Sequence, residues 1–163
     1  MTPADLQGLL REFYLERVAL LQRHEAVARS VPGYDANNAY QYLIAREETH
    51  LSWLQRALLD LGTPVPADPA PQAVAVSGKG EAAARVLAAE DARFAAAFVD
   101  RWRDRIEGIT HARHRGMMKV ILGETLEHKR FFEQAAEGRT DLLGTSLAIN
   151  EHSGKVLGDR WLE

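Results

Sequence analysis

Residues 63 to 79 read TPVPADPAPQAVAVSGK and hold four of the six prolines in the 163-residue chain. Proline carries no backbone N–H and its ring collides with the preceding turn, so this stretch cannot continue a helix. It is also long for a connector within one domain. A proline-rich spacer rises about 3 Å per residue, enough to run the whole length of a 25-residue helix, which is roughly 37 Å. The segments on either side are therefore free to lie parallel, an arrangement that a short turn forbids.

Four segments flank this spacer in two pairs, each with apolar residues at three-and-four spacing between start and stop residues. The first spans about Pro3 to Arg29, with Thr2 and Asp5 forming a capping-box pattern, Pro3 at the first helical position and VPG after the end. Its expected inner face is Leu6, Leu9, Phe13, Glu16 and Leu20. The second spans about Asn38 to Leu61, enters through PGYDANN and stops at Gly62, with Tyr40, Leu43, Glu47, His50, Leu54, Leu58 and Leu61 inward. The third, about Gly80 to Glu107, is expected to turn Ala83, Leu87, Glu90, Phe94 and Phe98 inward. The fourth, about Thr110 to Gly138, offers Met117, Ile121, Glu124, His128, Phe131 and Ala135. No stretch alternates β-branched residues in the manner of a strand, so the fold class is all-α. Short connections within each pair make them antiparallel hairpins, and one long crossover joins the pairs, giving a four-helix bundle over residues 1–138. With 46% hydrophobic residues the chain can bury one sizeable core. Residues 139–163 are expected to pack on the bundle or on a partner subunit.

Composition removes several function classes. A formal charge of −3, from 20 basic and 23 acidic residues interspersed along the chain, supplies no basic stripe for a nucleic acid. There is no cysteine, so thiolate metal sites and thiol nucleophiles are excluded, and any metal must be held by carboxylate and imidazole. The opening MTPADLQGLL lacks the basic and apolar regions of a signal peptide, and no apolar run approaches membrane-spanning length. The expectation is a cytoplasmic protein with no membrane partner.

Each helical segment carries a glutamate near its midpoint: Glu16, Glu47, Glu90 and Glu124. Four carboxylates converging in a bundle core would repel one another unless a multivalent cation lay between them. His50 follows Glu47 by three residues, which puts both on one helix face, and His128 follows Glu124 by four. Carboxylates with one imidazole per metal suit iron or manganese.

These features resemble the ferritin-like superfamily of di-iron carboxylate proteins, with the helical domain of rubrerythrins nearest in character. The resemblance rests on YLER with Glu16, EETH with Glu47 and His50, AAED with Glu90, and GETLEH with Glu124 and His128. It implies two metal ions held by a Glu from each of two helices and a Glu-x-x-His pair from each of the others. At one place the chain departs: three residues before His128 stands Thr125, flanked by Glu124 and Glu127. Glu124 could reach in from the preceding position, Glu127 could substitute with His128 behind it, or a π-bulge at Gly123 could reset the register. The activity implied is an oxidoreductase that reacts with O₂ or peroxide or oxidises Fe(II). Without cysteine for a rubredoxin-like iron site, an external electron donor is required. A homodimer built on helix faces is the expected assembly.

The opposing reading treats each glutamate as solvated or paired with an arginine, leaving a metal-free ferritin-like bundle that serves as a structural or protein-interaction module. His24 reads as a hydrogen-bonded core histidine, His111 and His114 as solvated residues of a helix start, and Met117 with Met118 as core filler.

Overall fold

The computed structural model describes residues 2–75, 78–139 and 141–143, and among them every regular element is an α-helix. Four occur: α1 (Pro3–Ala28), α2 (Tyr34–Asp60), α3 (Gly80–Glu107) and α4 (Ala112–Ala136). The anticipated capping box is present, with the Thr2 side chain accepting from the Asp5 N–H and the Asp5 carboxylate accepting from the Thr2 N–H. Helix α2 begins four residues earlier than expected. Gly33 acts as its N-cap, Asp35 lies in its first turn, and the Asn37 side-chain amide donates to the Ala28 carbonyl at 2.8 Å. PGYDANN is therefore mostly helix, because its polar residues serve as first-turn residues. At the other end Gly62, at φ +70°, closes α2, and the Thr63 N–H returns to the Leu58 carbonyl at 2.9 Å.

Gly138 does the same for α4 at φ +85°, with the Arg139 N–H donating to the Gln134 carbonyl. The Arg85 guanidinium lies against the glycine, and a Cβ added there would stand 2.6 Å from Arg85 Cζ. Gly138→Ala is therefore expected to lower unfolding free energy by about 1–2 kcal/mol, the penalty of a left-handed conformation for an L-residue. Gly138→Asn should lose less. Urea denaturation of the two variants checks this ordering, and an alanine variant as stable as the parent would refute it.

Cross-helix contacts fix the relative directions. Gln7 meets the Leu61 carbonyl while Arg17 and His24 meet Glu47, so α1 and α2 are antiparallel. Glu12 pairs with Arg105, Glu16 with Trp102 and Arg23 with Asp91, so α1 and α3 are antiparallel. Arg46 and His50 meet Glu124 while Tyr42 packs near Phe131, which makes α2 and α4 antiparallel as well. Packing is densest within the pairs α1–α2 and α3–α4. The proline-rich segment is tied to α1: the Tyr14 hydroxyl donates to Asp68 at 3.1 Å and the Gln22 amide donates to the Pro69 carbonyl at 2.9 Å.

Two apolar clusters fill the interior. One gathers Leu10, Phe13, Leu54, Leu58, Phe98, Trp102, Ile106, Met118 and Ile121, and the other gathers Val27, Tyr40, Leu43, Leu87 and Phe132. Burial of each Leu or Phe side chain contributes about 1.5–3 kcal/mol, so these clusters supply the main drive to fold. Several expected core residues give way to a neighbour. Phe94 is exposed, Met118 is fully buried while Met117 is only partly so, and Phe132 is buried in preference to Phe131. Among the described residues no helix is long and apolar enough to cross a membrane. The expected packing role of 139–163 concerns a segment that lies, from residue 144 onward, outside the described residues.

Candidate functional site

A layer of polar side chains separates the two apolar clusters, and Glu47 of α2 lies at its centre with 1% exposure. Its Oε1 accepts from Arg17 Nη2 at 3.2 Å and its Oε2 from His24 Nδ1 at 2.9 Å, both from α1. The imidazole of His128 stands 3.8 Å from Oε1. Arg17 is completely buried and spends its other terminal nitrogen on the Thr125 hydroxyl of α4, at 3.2 Å. Thr125 in turn donates to the Ile121 carbonyl.

His50 links this centre to the bundle edge. Its Nε2 lies 2.9 Å from Glu124 Oε2 and its Nδ1 lies 3.4 Å from Arg17 Nη2. A neutral ring with the proton on Nε2 donates to Glu124 and accepts from Arg17, so this network assigns that tautomer. Burial, helped by the nearby Arg17 charge and only partly opposed by Glu124, pushes the His50 pKa down to about 4. Burial also lowers His128. For His24, burial again favours the neutral ring, but the adjacent Glu47 carboxylate overrides it and the net shift is upward. For Glu47, burial favours the neutral acid, while the charges of His24 and Arg17 prevail and hold the carboxyl well below its usual range.

Asp91 of α3 completes the layer and is fully buried. It accepts from Arg23 on Oδ1 and from the Tyr40 hydroxyl on Oδ2, the latter at 2.6 Å. Burial and the Asp91 carboxylate both push the Tyr40 phenol strongly upward, so it stays a donor.

Of the residues that the sequence singles out, Glu47, His50 and His128 meet in this layer, and Glu124 reaches it from the edge, where Arg46 grips its carboxylate through two nitrogens at 2.9 and 2.6 Å. Glu16, Glu90 and Glu127 do not. Glu16 accepts from the Trp102 indole and pairs with Arg101, Glu90 pairs with Arg23, and exposed Glu127 pairs with Arg130 one turn along its own helix. Helix α4 is α-helical from Ala112 to Ala136, so no π-bulge resets its register. The reason for the displacement is angular. One residue along a helix is a rotation of about 100°, and in α1, α3 and α4 the inward direction belongs to Arg17, Asp91 and Thr125, each one place after the glutamate. A signal for this was present. Leu10, Phe13, Arg17 and His24 keep a single phase, as do Leu87, Asp91, Ala95, Phe98 and Trp102, and as do Met118, Ile121, Thr125, His128 and Phe132.

His24 is the buried, bonded core histidine that its position suggested, whereas His114, expected in solvent, is buried.

The dinuclear metal centre implied by the resemblance does not fit the residues present. It needs open carboxylate oxygens facing a shared space, but both oxygens of Glu47 and both of Asp91 already accept from Arg17, His24, Arg23 and Tyr40. The permanently charged guanidinium of Arg17 stands among Glu47, His50 and Thr125, where a second cation would be repelled. Thr125 offers a hydroxyl where the Glu-x-x-His pattern has a carboxylate. Among the described residues, no group of three or more His, Asp or Glu is arranged to hold a metal ion.

No protein-family model matches the chain, and no curated protein does. Among solved structures the chain is similar to the conserved hypothetical protein rv2844 from Mycobacterium tuberculosis, with a TM-score of 0.70 at 15% sequence identity, over 85% of this chain and 95% of that one. Similarity at that level establishes a shared helical fold and nothing about activity.

Proposed function

We propose that the chain is a metal-free bundle of ferritin-like topology that works as a structural or interaction module, in which the Arg17 guanidinium takes the central position that metal ions hold in the di-iron proteins it resembles. The observation that carries this reading is the set of inward residues: Arg17, Glu47 with His50, Asp91, and Thr125 with His128. Two of the four carboxylate positions are thereby filled by a cation and a hydroxyl, and the remaining charges neutralise one another within the layer. The ferritin-like part of the proposal is supported by the order of contacts. With α2 and α3 each antiparallel to α1, the segment between them must travel along the bundle, and its ties to Tyr14 and then Gln22 follow that course.

Elemental analysis of untagged protein produced with iron and manganese supplementation tests the proposal. The metal content is expected to be far below two ions per chain and unaltered by a Glu47→Ala, His50→Ala double substitution. Stoichiometric iron or manganese, lost in the double variant, would return the oxidoreductase reading with its external electron donor to first place.

A further inference from the structure

On the outer side of α2 and α4, large apolar side chains stay in solvent. Tyr42, Trp53 and Val120 are 48%, 36% and 49% exposed. They share one side of the bundle: Tyr42 packs near Phe131, Trp53 shares a cleft with Met117, and Val120 lies between Met117 and Glu124 at helical spacing. Gly116 and Gly123 stand exposed beside Val120 within α4, and a Cβ at either would meet nothing within 4 Å. Alanine would stabilise the helix by about 1 kcal/mol at each position, so no neighbour among the described residues calls for glycine there. Bare backbone does admit the close approach of another helix.

The charges of α4 are placed against its own dipole. Its first turn holds Arg113 and no acid, and its last turn holds Glu133 and no base, the reverse of what an isolated helix favours. At the amino end Arg56 is paired with Asp60, Lys119 with Glu107, and Arg115 donates to the Ile109 carbonyl. That leaves Arg113 unpaired among the described residues. At the carboxyl end Arg85 is paired with Glu81, Lys129 with Glu133 and Arg139 with Asp141, which leaves Glu137. Arg113 and Glu137 each stand twelve positions from Thr125. A two-fold axis crossing the helices at that level sets Arg113 beside the partner's Glu137 twice over, each charge at the end of the other helix whose dipole favours it. The same axis lays Trp53, level with Met117, over the partner's Tyr42, level with Phe131. From Arg113 the exposed row steps by three and four through Gly116, Val120 and Gly123, the spacing of a helix-to-helix seam. The size is also suitable. With 25 residues α4 is about 37 Å long, and a face two helices wide offers on the order of 700 Å², near the roughly 800 Å² that each partner buries in a stable complex.

We infer that the outer face of α2 and α4 binds a second copy of this chain, giving a two-fold dimer in which the two α4 helices run antiparallel. The face lies outside the buried layer, and its pairing does not depend on whether that layer holds metal.

Sedimentation equilibrium of the full chain tests the assignment. A dimer is expected, with Val120→Glu weakening association by about tenfold or more, because it buries a charge at the seam. Arg113→Glu and Glu137→Arg are each expected to weaken it about fivefold, since every repulsion occurs twice across the axis. Combined, the two substitutions exchange the charges and should bring association back close to that of the parent. All three positions are exposed, so the monomer fold survives, and circular dichroism with urea midpoints verifies this in each variant. The inference is overturned if the chain stays monomeric at about 100 μM. It is also overturned if the dimer is indifferent to Val120→Glu, which would place the interface elsewhere, or if the double charge variant associates no better than the single ones, which would remove the antiparallel pairing.

Discussion

Arg17→Met is expected to destabilise the protein by about 3–5 kcal/mol, the loss typical when one member of a buried ion pair is removed and the other stays charged. Arg17 is fully buried, and its nitrogens reach Glu47, His50 and Thr125, so its removal leaves three groups short of a partner at once. Small domains have total stabilities of only about 5–15 kcal/mol, and such a variant stands near the limit of folding. The loss comes from the uncompensated carboxylate and not from missing volume, because methionine fills similar space. Arg17→Met with Glu47→Gln should therefore recover a large part of it, since the amide oxygen still accepts from His24 while carrying no charge. Urea denaturation of both variants measures the difference. A single variant that loses less than about 1 kcal/mol, or a double variant no better than the single, would refute the account of Arg17 as the counter-ion of the layer.

Acid should unfold the protein, with most of the loss beginning above the range in which ordinary carboxylates titrate. His50 is pushed down to about 4 from an ordinary 6.5, so the unfolded chain takes up its proton first. Its contribution is complete above pH 6.5 and disappears as the pH falls to about 4, amounting to roughly 3 kcal/mol at 1.36 kcal/mol per pKa unit. His128, also lowered, acts in the same direction, and Glu47 adds a further loss below pH 4.5. His24 opposes them: its pKa is raised, so its contribution is complete below pH 6.5 and is lost as the pH rises through the elevated value. Stability is therefore expected to be greatest near neutrality and to fall by several kcal/mol between pH 7 and pH 4. Urea midpoints across that interval provide the measurement, with His50→Gln as the control that cannot titrate. If the slope between pH 6.5 and 4 is the same in that variant, His50 is not the responsible group.

The four helices were legible because apolar spacing and terminal residues agreed, as at Thr2 with Asp5 and at Gly62. Glu47 and His50 were legible for the same reason, being in phase with Leu43, Leu54 and Leu58. In the other three helices the expected faces share Phe13, Leu87, Phe98 and Ile121 with the buried ones, but the inward polar position falls one residue past the glutamate, at Arg17, Asp91 and Thr125 in place of Glu16, Glu90 and Glu124. An arginine is ordinarily a surface residue, and nothing in α1 alone announces that Arg17 is buried. Its inward position becomes intelligible only once Glu47 and Thr125, distant in sequence, are seen beside it. The burial of His114 was hidden for a related reason, because it belongs to a helix start that reads as solvated.

The layer around Glu47 also constrains how the helices can slide. Apolar seams above and below it are built from interchangeable Leu, Ile, Val and Phe side chains, which tolerate displacement by a turn at modest cost. Arg17, Glu47, His50, Asp91 and Thr125 tolerate none, because an axial shift of about 5.4 Å in any one helix would carry a charged or hydrogen-bonding group into a wholly apolar stratum and leave its former partner behind. A bundle with two greasy halves thus acquires a single allowed alignment, a kind of key that excludes mis-threaded packings of the same four helices.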